Sequence, residues 1–396
     1  MIRLSQNDIS GLLLGITQKL DISDSLYIAA EQKYKAVGEW LSGDNSPFAI
    51  LSPTIYPQGS FQFGTIVKPL TDTDDYDLDI VFEVMLSKDE ITQEALKNSV
   101  GKRLKDHGIY KNLLDKEGRR CWTLQYADSA RFHMDILPAI PGEDVIPLLL
   151  SMNVPESLAK TSISITDKTL SNYSRINLQW PLSNPKGYSA WFRNRMLIQF
   201  ENLRRIIATE RKSSLGEVPE YTIKTPLQRC IQLLKRHRDI QFAEELEIKP
   251  ASIIITTLAA NAYNNEADLL KALVSITDKM PNYIINRNGV SWVSNPTDPR
   301  ENFADRWQED PQKLPAFKNW HQQFKTEIGD LLNCEDLDEA KEKLILMFGE
   351  NVSENVIDEF KSSHKEHNQK GQIGIISSHP TVEIQDPMKP WGEELY

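Results

Sequence analysis

The chain has 396 residues, 40% hydrophobic and 26% charged, a globular balance that excludes a mostly disordered protein. Its 45 Lys and Arg against 56 Asp and Glu leave a net charge of −11, which opposes general binding to a nucleic-acid backbone but not a local basic groove. At roughly 100–200 residues per domain, the length fits two or three domains, or two lobes sharing a core.

In chain order, residues 1–20 carry only the short apolar run Leu12–Leu14 between Gly11 and Gly15. With no basic start and no small-residue cleavage site, no signal peptide is expected. Residues 24–41 place Leu26, Ala29, Ala30, Tyr34, Val37 and Leu41 near a 3.6-residue period, which predicts a helix. Pro47, Pro53 and Pro57 then punctuate an extended segment leading to Gly59. Residues 76–84 alternate apolar and acidic side chains, which predicts a strand with one buried face. Ser87 with Glu90 forms a capping-box pattern expected to open a helix reaching about Asp106. Residues 120–126 and 131–137 read as a strand pair, with a turn at 127–129.

From about Tyr188 onward the pattern is helical. Leu227, Ile231 and Leu234 share a face of a helix ending near Phe242, and Pro250 suits the first turn of a helix over 251–263. Further helical patterns span 267–279, 317–332, 337–348 and 352–360. The segment from Ser362 turns polar and proline-bearing, so 362–396 is expected to be a flexible tail. The expected division is 1–175 as an α+β unit with N-terminal helices, 176–361 as a helical lobe, then the tail. The scattered Cys121, Cys230 and Cys334 predict free thiols in a reducing compartment. The most apolar stretch, 251–260, is about half the length of a bilayer span. A soluble cytoplasmic protein without membrane contact is expected.

The chemistry concentrates in residues 71–79, where five aspartates fall between Asp72 and Asp79. A solvated turn is the plainest reading. A calcium loop fits Asp72, Asp74 and Glu83 but fails where glycine is required, at Asp77. The third reading separates the strand acids from the turn. Asp77 and Asp79 are two residues apart on a strand, so they share a face with Cα atoms about 7 Å apart. Two carboxylates on a rigid strand can converge on divalent cations that also meet substrate phosphates. In 131–137, Arg131, His133 and Asp135 face away from Phe132, Met134 and Ile136. If the strands are neighbours, Asp77, Asp79 and Asp135 form a triad. Upstream, Gly59 permits close backbone approach to a ligand and Ser60 can donate a hydroxyl to a phosphate. A P-loop is excluded because Thr65 stands where its lysine must be.

With Gly59-Ser60, Asp77-x-Asp79 and a strand-borne Asp135 in that order, the sequence resembles the polymerase-β-like nucleotidyltransferase superfamily. Within it the sequence resembles the bacterial cGAS/DncV-like nucleotidyltransferases (CD-NTases), and most nearly those of the DncV cyclic GMP-AMP synthase type. Gln58-Gly59-Ser60-Phe61-Gln62, Asn184-Pro185-Lys186, Ala190-Trp191-Phe192 and Leu234-Lys235-Arg236-His237-Arg238-Asp239 carry this resemblance. Pro250-Ala251-Ser252-Ile253 and Phe348-Gly349-Glu350-Asn351-Val352 extend it, so that it spans about 50–355.

The resemblance implies an α+β fold: a nucleotidyltransferase lobe with a twisted mixed sheet, a helical C-terminal lobe and a cleft between them. It implies Asp77, Asp79 and Asp135 as catalytic metal ligands for Mg²⁺, two ions, with Mn²⁺ as the alternative. It implies Gln58, Gly59, Ser60, Lys235 and Ser252 as nucleotide contacts. Lys235-Arg236-His237-Arg238 also reads as a solvated basic run, and Ser252 as an ordinary early-helix residue.

The implied activity is joining NTPs, ATP with a second such as GTP or UTP, into a cyclic di- or oligonucleotide messenger with release of pyrophosphate. The implied setting is anti-phage (CBASS-type) signalling through a downstream effector. No DNA is required, and regulatory proteins are expected at the C-terminal tail. The alternatives are transfer to an RNA end or protein hydroxyl without cyclisation, and a catalytically silent nucleotide-binding regulator. The strand Tyr76-Asp77-Leu78-Asp79-Ile80-Val81 and the phrase Asn302-Phe303-Ala304-Asp305-Arg306-Trp307 depart from the DncV pattern, which leaves base choice open.

Overall fold

A computed structural model describes residues 3–71, 75–126, 132–212 and 214–369. Its first part runs α1 (Gln6–Leu20), α2 (Asp24–Ser42), β1 (Thr54–Pro57), α3 (Gly59–Phe63), β2 (Tyr76–Glu83), α4 (Gln93–Lys105), α5 (Tyr110–Leu113), β3 (Trp122–Tyr126) and β4 (Phe132–Pro141). There follow α6 (Ile146–Ser151), α7 (Glu156–Ala159), β5 (Ile163–Ile165) and β6 (Leu182–Ser183). The remainder is α8 (Pro185–Glu210), α9 (Pro226–Gln241), α10 (Ser252–Ala262), α11 (Leu269–Lys279), β7 (Ile285–Arg287), β8 (Val290–Trp292), β9 (Ser294–Asn295) and β10 (Asp298–Asn302). It closes with α12 (Arg306–Glu309), α13 (Lys313–Leu332), α14 (Leu337–Phe348) and α15 (Glu350–Gln369).

The six-stranded sheet has the order β1-β2-β4-β5-β6, with β3 also on β4. Only β2 and β4 pair in parallel; the other pairs are antiparallel. One face carries Leu78, Ile80 and Phe82 of β2 and Phe132, Met134 and Ile136 of β4, in one core with Val37 of α2 and Leu96, Val100 and Leu104 of α4. This is the period-two burial expected of 76–84 and 131–137. The turn expected at 127–129 lies outside the described residues.

A second, larger core joins α8 to α11, α13, α14 and α15. Every residue of α9 from Pro226 to Arg238 is buried, and α9 packs against α1, α10, α11, α13 and α14. Helix α1 belongs to this core through Ile9, Leu12, Leu13, Ile16 and Leu20. The N-terminal segment is therefore packed with the helices, not with the sheet that follows it in sequence. Its Leu12–Leu14 run is part of an amphipathic face capped by a Ser5–Asp8 capping box.

Several boundaries differ from the sequence reading. Ser87 N–H does donate to Glu90 Oε2 at 2.7 Å, but those bonds close a turn, and α4 begins later with Thr92 as its cap. Buried Lys88, paired with Asp144 at 2.7 Å, ties that turn to another part of the chain. Pro250 precedes the Ala251 cap of α10 and so lies outside the helix. Helix α15 continues past Ser362 to Gln369, and the rest of the expected tail lies outside the described residues. The short strands β7 to β10 were not legible, because two to five residues are too few to display alternation. All three cysteines are free, as expected, and among the described residues no helix is long and apolar enough to cross a membrane.

Trp122 of β3 packs where α4 has Gly101: a Cβ there would stand 2.2 Å from the indole, whose N–H donates to Lys97 O at 2.8 Å. Gly101→Ala is expected to cost about 1–3 kcal/mol of overpacking, read as a lower urea midpoint with an unchanged m-value. A midpoint equal to that of the unmodified protein would show that this contact does not constrain the core.

Candidate active site

The sheet face opposite the apolar one carries the acids. The parallel register sets Asp79 directly against Asp135 and Asp77 against His133. Strand β3 adds Thr123 opposite Asp135, and its hydroxyl donates to Asp135 Oδ1 at 2.5 Å. Asp77 is exposed at the rim and Asp79 half-buried behind it. Loss of surrounding water, then the Asp135 charge, raise the Asp77 carboxyl above the usual range. The same two causes, followed by Asp77, push Asp79 up to about 7. The three sequence-selected acids thus share one face and feel one another's charge. Further along, the same face becomes apolar through Val81, Leu137 and Ala139.

The glycine–serine turn abuts these acids. Gln58 caps the five-residue α3, and its N–H donates to Asp79 O at 2.8 Å. Gly59 has φ +64°, and a Cβ there would lie 2.6 Å from Asp79 Oδ2. Glycine is therefore demanded twice, by the left-handed backbone and by the nearby carboxylate. The aromatics after Ser60 anchor the turn on opposite sides. Phe61 enters the sheet core and stacks on Tyr27 at 4.4 Å, whereas Phe63 enters the helical core against Tyr188 and Phe192.

Lys235 reaches the same place from α9. It is buried, and its Nζ donates to Thr65 O at 2.9 Å. Burial and then Arg238 push its ammonium down to about 8, while Asp239, Asp77 and Asp79 work the other way. The basic phrase around it is not solvated. His237 contacts Glu327 at 2.8 Å, and Arg238 binds Asp239 and Pro250 O. Ser252 Oγ accepts from Arg238 Nη1 at 2.8 Å, so the structure ties that hydroxyl to an arginine beside Lys235 and not to the acids.

Four contacts were not legible in advance. His133 Nε2 lies 2.9 Å from Asp75 Oδ2, and Thr123 holds Asp135. Lys186 pairs with Glu83 at 2.9 Å and covers the Tyr56 ring at 4.0 Å. Strand phase placed His133 on the acidic face, but its partner needed the tertiary structure. The calcium-loop reading fails, because Asp77 and Glu83 lie on one continuous strand. Asp72 and Asp74 lie outside the described residues. Among the described residues, no three His, Cys, Asp or Glu side chains are already gathered into a metal-binding group; Asp77, Asp79 and Asp135 share a face without closing on one point.

Residues 53–138 match the family described as cyclic GMP-AMP synthase DncV-like, nucleotidyltransferase domain. The chain is 29% identical to a c-di-GMP synthase of Roseivirga ehrenbergii over 349 residues, 87% of this chain and 85% of that protein. The fold is similar to that of the Bradyrhizobium diazoefficiens CD-NTase CdnG in complex with GTP, with TM-score 0.68 and 22% identity, covering 89% of this chain and 99% of that one. It is also similar to Vibrio cholerae DncV in complex with the linear intermediate pppA(3′,5′)pG, with TM-score 0.54 and 15% identity, covering 85% and 94%.

The raised Asp79 carboxyl has a sign that can be checked. Its folded value of about 7 exceeds the ordinary 3.8, so the folded state holds the proton more tightly and stability falls as pH rises through that window. In chelator, Asp79→Asn is expected to raise Tm at about pH 8 and to lose this advantage by about pH 4. A pH-independent difference between the two proteins would contradict the crowding of charge at this site.

Proposed function

We propose that this chain, whose residues 53–138 match a DncV-like nucleotidyltransferase domain and whose fold is similar to that of a CD-NTase, is a nucleotidyltransferase that makes a cyclic dinucleotide. The carrying observation is the Asp79–Asp135 register with the Gly59 turn packed on Asp79, in a chain similar over 87% of its length to a c-di-GMP synthase. That relative's name favours GTP as a substrate, beside the ATP with a second NTP that the sequence phrases imply.

Hard carboxylate oxygens that crowd one another suit Mg²⁺ or Mn²⁺, and the upward shift of Asp79 is the strain that a cation would relieve. Asp77, Asp79 and Asp135 would hold it. When bound, Mg²⁺ supplies neutralisation of phosphate charge and a lowered pKa for the attacking ribose hydroxyl. The chain itself orients the reactants. Gln58, Gly59 and Ser60 bind the triphosphate beside Asp79, and Lys235 adds positive charge from the helical side. Thr123 fixes the Asp135 carboxylate through Oδ1. In a first transfer a ribose hydroxyl attacks the α-phosphate of the second NTP and pyrophosphate leaves, giving a linear dinucleotide bearing a 5′-triphosphate; its rebinding in reverse allows a second such transfer, again with loss of pyrophosphate, that closes the ring. Positioning and charge neutralisation carry such chemistry without a covalent nucleophile. Ser252 acts through Arg238. The product serves as a second messenger to a downstream effector in anti-phage defence in the cytoplasm, with regulatory proteins meeting the C-terminal segment.

Incubation with the four NTPs and Mg²⁺, followed by phosphatase treatment and mass spectrometry, tests this reading. A phosphatase-resistant cyclic dinucleotide is expected; only linear products, labelled macromolecule or intact NTP would refute it. Asp77→Asn and Asp79→Asn are expected to fold normally and lose at least about 10²-fold in turnover. Lys235→Ala is expected to weaken NTP binding, read as a higher KM with the acidic pair intact.

A further inference from the structure

Helix α9 and the residue before its cap grip the loop after the glycine–serine turn by four consecutive backbone carbonyls. Gln228 Nε2 donates to Phe63 O at 2.8 Å, and Lys224 Nζ to Gly64 O at 2.9 Å. Lys235 Nζ donates to Thr65 O at 2.9 Å, and Gln232 Nε2 to Ile66 O at 3.0 Å. Residues 228, 232 and 235 follow the i, i+4, i+7 spacing of one helix face. Four carbonyls at and just beyond the end of a five-residue helix have little intrahelical company, so these side chains satisfy groups that burial would otherwise leave costly.

The donors are themselves aimed. The Gln228 carbonyl oxygen accepts the Thr225 N–H at 2.8 Å, which orients its amide nitrogen toward Phe63. Gln232 Nε2 is shared with Asp21 Oδ1 at 2.8 Å. Gly64, at φ +64°, admits them: a Cβ there would lie 2.6 Å from Gln228 Nε2 and 3.3 Å from Lys224 Nζ. Burial pushes the Lys224 ammonium down to about 8. At its other end the turn is fastened to β2 by the Gln58 N–H to Asp79 O bond, with Gly59 against the Asp79 carboxylate.

We propose that Lys224, Gln228 and Gln232 are positioning residues that set the backbone of the triphosphate-contacting turn relative to the acidic pair. Nucleotide affinity is then dictated by the helical lobe as well as by the turn. This rests on the reading of Gln58, Gly59 and Ser60 as triphosphate contacts. A small displacement of a binding group is enough to cost a large factor in rate or affinity, so a clamp at this spot acts on binding and not on stability alone.

The test compares the full-length protein with Lys224→Met, Lys224→Arg and Gln232→Leu, by pyrophosphate release against NTP concentration and by Tm. Lys224→Met and Gln232→Leu are expected to raise KM about tenfold with kcat within about twofold, the mark of a lost ground-state contact. Lys224→Arg, which keeps a donor, is expected to return KM toward the unmodified value. A lower Tm with unchanged KM would overturn the proposal, as would Arg failing to rescue a raised KM. If Gln232→Leu does not fold, the Lys224 pair decides. If the unmodified protein releases no pyrophosphate from any NTP, the functional reading has failed and the clamp is judged by hydrogen exchange of amides 60–66. Faster exchange in Lys224→Met but not in Lys224→Arg supports it; equal exchange in all three overturns it.

Discussion

A five-residue helix bound into two cores at once is the constraint on which the site depends. Phe61 belongs to the sheet core and Phe63 to the helical core, two positions apart. Burying an aromatic side chain contributes roughly 1.5–3 kcal/mol, so neither ring is easily withdrawn. Gly59 and Ser60 are therefore held at the seam between the cores. The acids of β2 stand on one side of that seam and Lys235 of α9 on the other.

The arrangement runs against local stability. Parallel pairing of β2 and β4 puts Asp79 opposite Asp135, with Asp77 one step away on the same face. Like charges so placed repel, and partial burial removes the water that would screen them. The surrounding fold sustains this because the reverse faces of both strands are among its most buried: Ile80, Phe82, Met134 and Ile136 are all fully enclosed. The apolar face holds the strands in register, and the acidic face bears the cost. Carboxylates perturbed in this way are enriched at functional sites.

Helix α9 supplies the complementary half. Its basic and amide side chains are mostly enclosed, and several of the bonds they make secure other elements. Arg229 pairs with Asp21 beyond α1 at 2.5 Å, His237 contacts Glu327 of α13, and Gln228, Gln232 and Lys235 meet the loop after α3. A helix so placed couples the position of the helical core to the glycine–serine turn.

Period-two alternation in 76–84 and 131–137 determined which acids share a face, because strand geometry is local. Glycine at 59 and the aromatics after Ser60 were equally visible, though their reason was not. What the sequence could not determine was whether the two strands adjoin, and whether the basic phrase at 235–238 is wetted or enclosed. Both depend on contacts between residues far apart in the chain: Asp79 with Asp135, Lys235 with Thr65, Arg238 with Ser252. The net charge of −11 says nothing about them. Three of the 56 acids acquire their meaning only when a parallel crossover brings β4 beside β2 and the folded α9 brings a buried cation within electrostatic reach.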